Sequence, residues 1–146
     1  MNKFLGLIMF LLFVSCNSDK STPEGALKSF VELNFSGSAS REEILGNITG
    51  KMKESFEGLS EEDFKKSTQF KELEKQGFKV VSKNCEEKQC YITYSLAFKN
   101  KESAGTLGFK TEVKKIAELK FDNGKWLIAD VSNVKTYLEA LDTIQP

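Results

Sequence analysis

The chain has 146 residues, 21 basic and 21 acidic, with a formal net charge of zero and no histidine. Intermixed signs at neutrality leave no electrostatic footprint for nucleic acid. The absence of histidine removes the commonest general base, the commonest metal ligand and the ordinary pH switch. Histidine triads are excluded, and a metal site would have to be built from carboxylates or thiolates alone. No acidic cluster has calcium-loop spacing, so neither a metal site nor a cofactor is expected.

In chain order, Phe4 to Val14 is uncharged and, Gly6 apart, apolar. The run is shorter than the about 20 residues that span a bilayer, and it has no polar face to show to water. Lys3 before it and small Ser15 after it complete the anatomy of a secretory signal peptide over residues 1–15. Three roles are open to Cys16: core thiol, disulfide partner or attachment point. "FVSC", ending on Cys16, resembles the lipobox of bacterial lipoproteins, although leucine is usual where Phe13 stands. The resemblance implies cleavage before Cys16, a diacylglycerol on its thiol and acylation of the new amino group. Each buried methylene contributes about 0.8 kcal/mol, so two or three chains anchor stably where one does not. The implied partner is a membrane, reached through lipid, and the implied address is the bacterial envelope, on its periplasmic or outer-membrane face. Residues 16–21 then read as a small, polar tether. Removing residues 1–15, Lys3 among them, leaves 131 residues with 20 basic and 21 acidic side chains, a net charge of −1. That is one domain, residues 22–146.

Thr22, Pro23 and Glu24 suit the start of a helix. Ala26, Leu27, Phe30 and Val31, with Asn34 or Phe35, form its apolar stripe, and Gly37 ends it. Ser40 and Glu43 have capping-box spacing for a second, short helix, with Ile44, Leu45 and Ile48 on its apolar side. Ser60, followed by Glu61, Glu62 and Asp63, opens a third helical region that Gly77 stops, with a break near Ser67–Thr68. After Gly77 the period changes to two. Phe78 to Lys83 is a first strand, and Cys90, Ile92, Tyr94, Leu96 and Phe98 alternate along a second. Residues 100–108 read as a loop. Phe109 to Phe121 is a third strand whose phase Lys115 breaks, and a bulge near Lys114–Ile116 would reconcile it. Asn123–Gly124 suits a type I′ hairpin turn that sets Phe121 opposite Trp126 and Leu119 opposite Ile128. Val134, Tyr137, Leu138 and Leu141 have the spacing of a short C-terminal helix. The order argues an α+β fold, with N-terminal helices on one face of an antiparallel sheet of about four strands.

Cys85 and Cys90 flank "EEKQ" between two strand-like runs, which brings them opposite each other. Opposed Cβ atoms lie within reach of a disulfide, and an oxidising compartment allows one. Their spacing does not fit a C-x-x-C redox motif, and no second pair is present for zinc.

"TPEGALKSFVELNFSG" resembles the opening helix of nuclear transport factor 2-like proteins, and "FDNGKWLIADV" resembles their closing hairpin. The resemblance covers about Thr22 to Val131. It implies a cone in which a curved sheet wraps over the helices, and leaves open whether the cone holds a pocket. Its superfamily holds isomerases and cyclases as well as non-catalytic carriers, so the fold alone selects no activity. The enzymatic alternative needs a carboxylate and a facing donor inside the cone. Asp130, in phase with Trp126 and Ile128, and Tyr94 are the candidates. Against it stand a rim position for Asp130 and a core position for Tyr94. The favoured expectation is a non-catalytic module binding a small ligand or a protein, with Trp126, Tyr91, Tyr94 and Ile116 as candidate contributors, although a core role is the favoured reading of Trp126 and Tyr94. Ile116, Leu127, Ala129 and Val131 form an apolar set on the second face, suited either to a homodimer or partner interface or to cover by the terminal helix.

Overall fold

A computed structural model describes residues 20–101 and 108–141. Four helices are followed by a four-stranded antiparallel meander: α1 (Pro23–Ser36), α2 (Arg41–Leu45), α3 (Gly50–Glu57), α4 (Glu61–Thr68), β1 (Leu73–Glu86), β2 (Gln89–Asn100), β3 (Gly108–Asp122) and β4 (Lys125–Leu141). The strands lie in the order β1-β2-β3-β4, and the helices pack against the sheet.

Local chemistry accounts for the helix ends. The Thr22 hydroxyl accepts from the Gly25 N–H at 3.1 Å, and Pro23 fills the first turn of α1, where a missing N–H costs nothing. Gly37 closes α1 at φ +67, a conformation that its lack of a Cβ permits. At α2 the capping box is complete. The Glu43 N–H donates to the Ser40 hydroxyl at 3.1 Å, and the Ser40 N–H donates to the Glu43 carboxylate at 2.7 Å. Ser60 caps α4 by accepting from the Asp63 N–H at 3.1 Å, and the acids of its first turn meet the positive end of the helix.

The helix α3 was not anticipated. Thr49 precedes it without a side-chain cap bond. Its C-terminal carbonyls are instead held by α2: the Arg41 guanidinium donates to the carbonyls of Phe56 at 2.9 Å, Glu57 at 3.0 Å and Leu59 at 3.0 Å, and lies 4.5 Å above the Phe64 ring. One cation thereby supplies the donors that a helix end lacks and ties α2, α3 and α4 together. The link before α3 is tied to the sheet. Ile48 forms a parallel bridge with Ile128, through Thr49 N–H to the Ile128 carbonyl at 2.8 Å and Ile128 N–H to the Asn47 carbonyl at 3.0 Å.

The core lies between helices and sheet. Leu27, Ile44, Ile48, Phe64, Ile92, Leu119 and Ile128 are fully buried, each contributing about 1.5–3 kcal/mol relative to exposure.

Three sequence expectations need correction. The third helical region ends at Thr68, and its tail from Leu73 belongs to β1. Leu73 pairs with Asn100, and the register shift around Gln76 lets the strand pass Gly77. The C-terminal helix is replaced by the second half of β4. The first half of β3 offers it a complete ladder, in which Val113 pairs with Thr136, Glu112 with Tyr137 and Thr111 with Leu138. Ladder pairing outweighs a helical spacing in which Val134 and Tyr137 already favour a strand. The bulge expected in β3 lies on β4. β2 and β3 pair without interruption, whereas β4 carries extra residues at Val134 and Ala129. The expected pairs Phe121–Trp126 and Leu119–Ile128 are present, and Asn123 and Gly124 both have positive φ, +49 and +80. Most of the expected loop, residues 102–107, lies outside the described residues.

Candidate functional site

An uninterrupted β3 has one consequence for the site. Residues 113, 115, 117 and 119 share the core face, opposite Leu96, Tyr94, Ile92 and Cys90 of β2. Lys115 therefore keeps the phase that its charge suggested it broke, and Ile116 takes the outer face, 38% exposed.

Beside Lys115 a cavity of about 390 Å³ opens between helices and sheet. That is within the about 300–1,000 Å³ of small-molecule sites. The helix α1 contributes Phe30, Val31, Asn34 and Phe35. The helix α3 contributes Lys51, Met52 and Phe56, and Phe70 follows α4. The sheet contributes Tyr94 and Leu96 from β2, Lys115 from β3, and Asp130 and Val131 from β4. The wall is mostly apolar, and Phe35 meets Phe70 edge-on at 5.5 Å between ring centroids.

Seven of its fifteen lining residues are polar or charged, the Ser55 and Ser67 hydroxyls among them. The Asn34 amide nitrogen donates to the Phe30 carbonyl at 3.1 Å, but its buried Oδ1 has no hydrogen-bond partner, although buried polar atoms are ordinarily paired. Tyr94 is 3% exposed, with its ring 5.5 Å from that of Phe78. Burial raises its pKa well above the ordinary phenol value, so the hydroxyl is a neutral donor. Burial also lowers the pKa of Lys115. Among the described residues Lys115 and Lys51 form no ion pair.

Asp130 is exposed. The bulge at Ala129 reverses the parity of β4, so Val131 pairs with Ala117 on the core face and Asp130 pairs with Glu118. Its carboxylate accepts from the Val131 N–H at 2.9 Å and the Ser132 hydroxyl at 3.5 Å. The inward position that the enzymatic alternative needs is thus lost to one inserted residue, and Asp130 contributes to the cavity as an exposed lining group, as the rim reading had it.

No protein-family model matches the chain, and no curated protein matches it. Among solved structures it is similar to the solution structure of a SEC-C motif-containing protein from Rhodopseudomonas palustris, at a TM-score of 0.60 and 10% identity, over 80% of this chain and 81% of that one. At that identity the likeness shows the fold alone.

The other sequence candidates lie away from the cavity. Trp126 is half-buried against Phe121, with ring centroids 5.4 Å apart. Tyr91 is exposed, and its hydroxyl accepts from the Gln89 amide at 2.8 Å. Leu127 and Ala129 are buried. Cys85 and Cys90 form a disulfide across the β1–β2 hairpin, next to its Glu87–Lys88 turn. Cys16 lies outside the described residues. Among the described residues no helix is long and apolar enough to cross a membrane, and no cluster of three metal-ligating side chains occurs. Sequence reading missed Lys115 and the wall from α3. The signal for α3 was Met52 and Phe56, four residues apart on one helix face.

Proposed function

We propose that this chain is a lipid-anchored, non-catalytic module of the bacterial envelope whose nuclear transport factor 2-like cone binds a small, largely apolar ligand. The observation that carries the binding role is the cavity: a wall of aromatic and aliphatic side chains with polar groups set among them, of which the buried Asn34 Oδ1 lacks a protein partner, the composition of a ligand site. The carrier reading is favoured over an isomerase or cyclase by the position of Asp130. An acid–base carboxylate works from inside a desolvated site, and Asp130 is exposed with both oxygens engaged. The anchor is supported by Lys3, the apolar run and "FVSC".

Two experiments test the proposal. Cells are labelled with a clickable fatty acid, and the wild type is compared with Cys16→Ala. Label is expected on the wild type only, and equal label on both removes the anchor. For the cavity, the Met52 methyl resonance of the intact chain is followed during titration with the neutral aromatic probe 2-naphthamide. A saturable shift is expected, and a Met52 resonance unmoved both by this probe and by its carboxylate counterpart 2-naphthoate refutes the binding role.

A further inference from the structure

The chemistry of the cavity narrows the ligand further, on the premise that the cavity is a binding site. Lys115 sits on the core face of β3 between Val113 and Ala117, both buried. A cation placed there loses solvation, which is recovered only by a counter-charge with good hydrogen bonds. The chain provides none: among the described residues the ammonium has neither ion pair nor hydrogen bond. The charged and titratable groups sharing the cavity with it are Lys51 from α3, Tyr94 from β2 and Asp130 from β4. Lys51 adds a second unpaired positive charge, but like Asp130 it is exposed, so Lys115 is the one charged group drawn in behind the rim. The Asp130 carboxylate is the one negative group, and it is exposed and bound to Val131 and Ser132.

The balance inside is therefore positive. Tyr94 and Lys115 are direct cross-strand partners, so a cationic and a neutral donor stand side by side on one face of the sheet. Two adjacent donors of this kind match the two oxygens of a carboxylate. Facing them, Phe30, Phe35, Phe56 and Phe70 present ring faces and edges suited to another aromatic system. We infer that the cavity takes a small aromatic monocarboxylate, its carboxylate on Lys115 and Tyr94 and its rings among the four phenylalanines.

The test titrates the intact chain with 2-naphthoate and 2-naphthamide, which differ in charge while sharing the ring system, and reads Met52 and the Lys115 side chain by NMR. Naphthoate is expected to bind at least tenfold tighter. Lys115→Met is expected to bring the ratio of the two affinities close to one, Lys115→Arg to restore most of it, and Tyr94→Phe to narrow it severalfold. Amide dispersion checks that each variant is folded, and the arginine and phenylalanine variants decide the matter should the methionine variant not fold. Equal affinity for the two probes, or an unchanged ratio in these variants, overturns the carboxylate assignment and leaves the ligand-binding role standing. A Met52 resonance unmoved by both probes removes the two readings together.

Discussion

Asn34→Leu is expected to make the protein more stable, and the magnitude follows from the cavity wall. Asn34 is 7% exposed, and its Oδ1 has no partner. An unsatisfied buried acceptor costs about 1–3 kcal/mol, which leucine of similar size removes. The substitution gives up the bond from the side-chain nitrogen to the Phe30 carbonyl, worth about 0.5–1.5 kcal/mol. That carbonyl keeps its helical partner, the Asn34 N–H, so nothing new is left unpaired. Leucine is also the better helix former by up to about 0.5 kcal/mol. The net expectation is a gain of about 1 kcal/mol, or about 3–5 °C in Tm, read from urea and thermal unfolding of both proteins. A variant less stable than the wild type by about 1 kcal/mol or more would refute the reasoning, because Oδ1 would then have to be satisfied in the native protein.

The remaining expectations concern the scaffold. Cys85→Ala with Cys90→Ala should lose about 2 kcal/mol on the chain-entropy account of a short loop, measured as a lower urea midpoint; an unchanged midpoint would contradict it. Arg41→Met should lose about 2 kcal/mol, since a charged donor leaves three carbonyls at the end of α3. Hydrogen exchange in α3 should accelerate ahead of the rest, with Arg41→Lys restoring less than half, because an ammonium lacks the planar fork. Glu24 is held below its ordinary pKa of 4.5, first by its hydrogen bond with Lys83. A lowered carboxyl pKa stabilises the folded state above 4.5, and that contribution disappears as pH falls through the folded value. Glu24→Gln should therefore flatten the loss of stability as pH falls below about 5, and an unaltered acid limb would exclude the contact as its source.

Much of the scaffold was legible because its signals are local. Thr22, Ser40 and Ser60 mark helix starts by their own hydrogen bonds, and Asn123–Gly124 marks a turn by the φ it tolerates. The cysteine pair was legible for the same reason, lying across a short hairpin. The terminal helix failed because Val134, Tyr137 and Leu138 satisfy a helical spacing while the ladder partners of Tyr137 and Leu138, Glu112 and Thr111, lie more than twenty residues away. The site was less legible still. Tyr94 could be found from alternation along β2, but Lys115 looked like a break in a pattern until β2 was seen to pair with β3 without interruption. Asp130 moved in the opposite sense, since a single extra residue at Ala129 reverses which face a strand position occupies, and no local signal announces it.

A four-stranded sheet ends on two strands whose outer backbone can template another chain, the usual beginning of aggregation by strand pairing. On β4 the first part of that edge is occupied. Asn47 and Thr49 take both backbone groups of Ile128, so an incoming strand finds neither donor nor acceptor there. Farther along, the extra residues at Ala129 and Val134 break the even spacing that an incoming strand would need, and Lys135 adds charge. The link that suspends α3 above the cavity thus has a second effect, guarding an edge along which neighbouring copies would otherwise zip together.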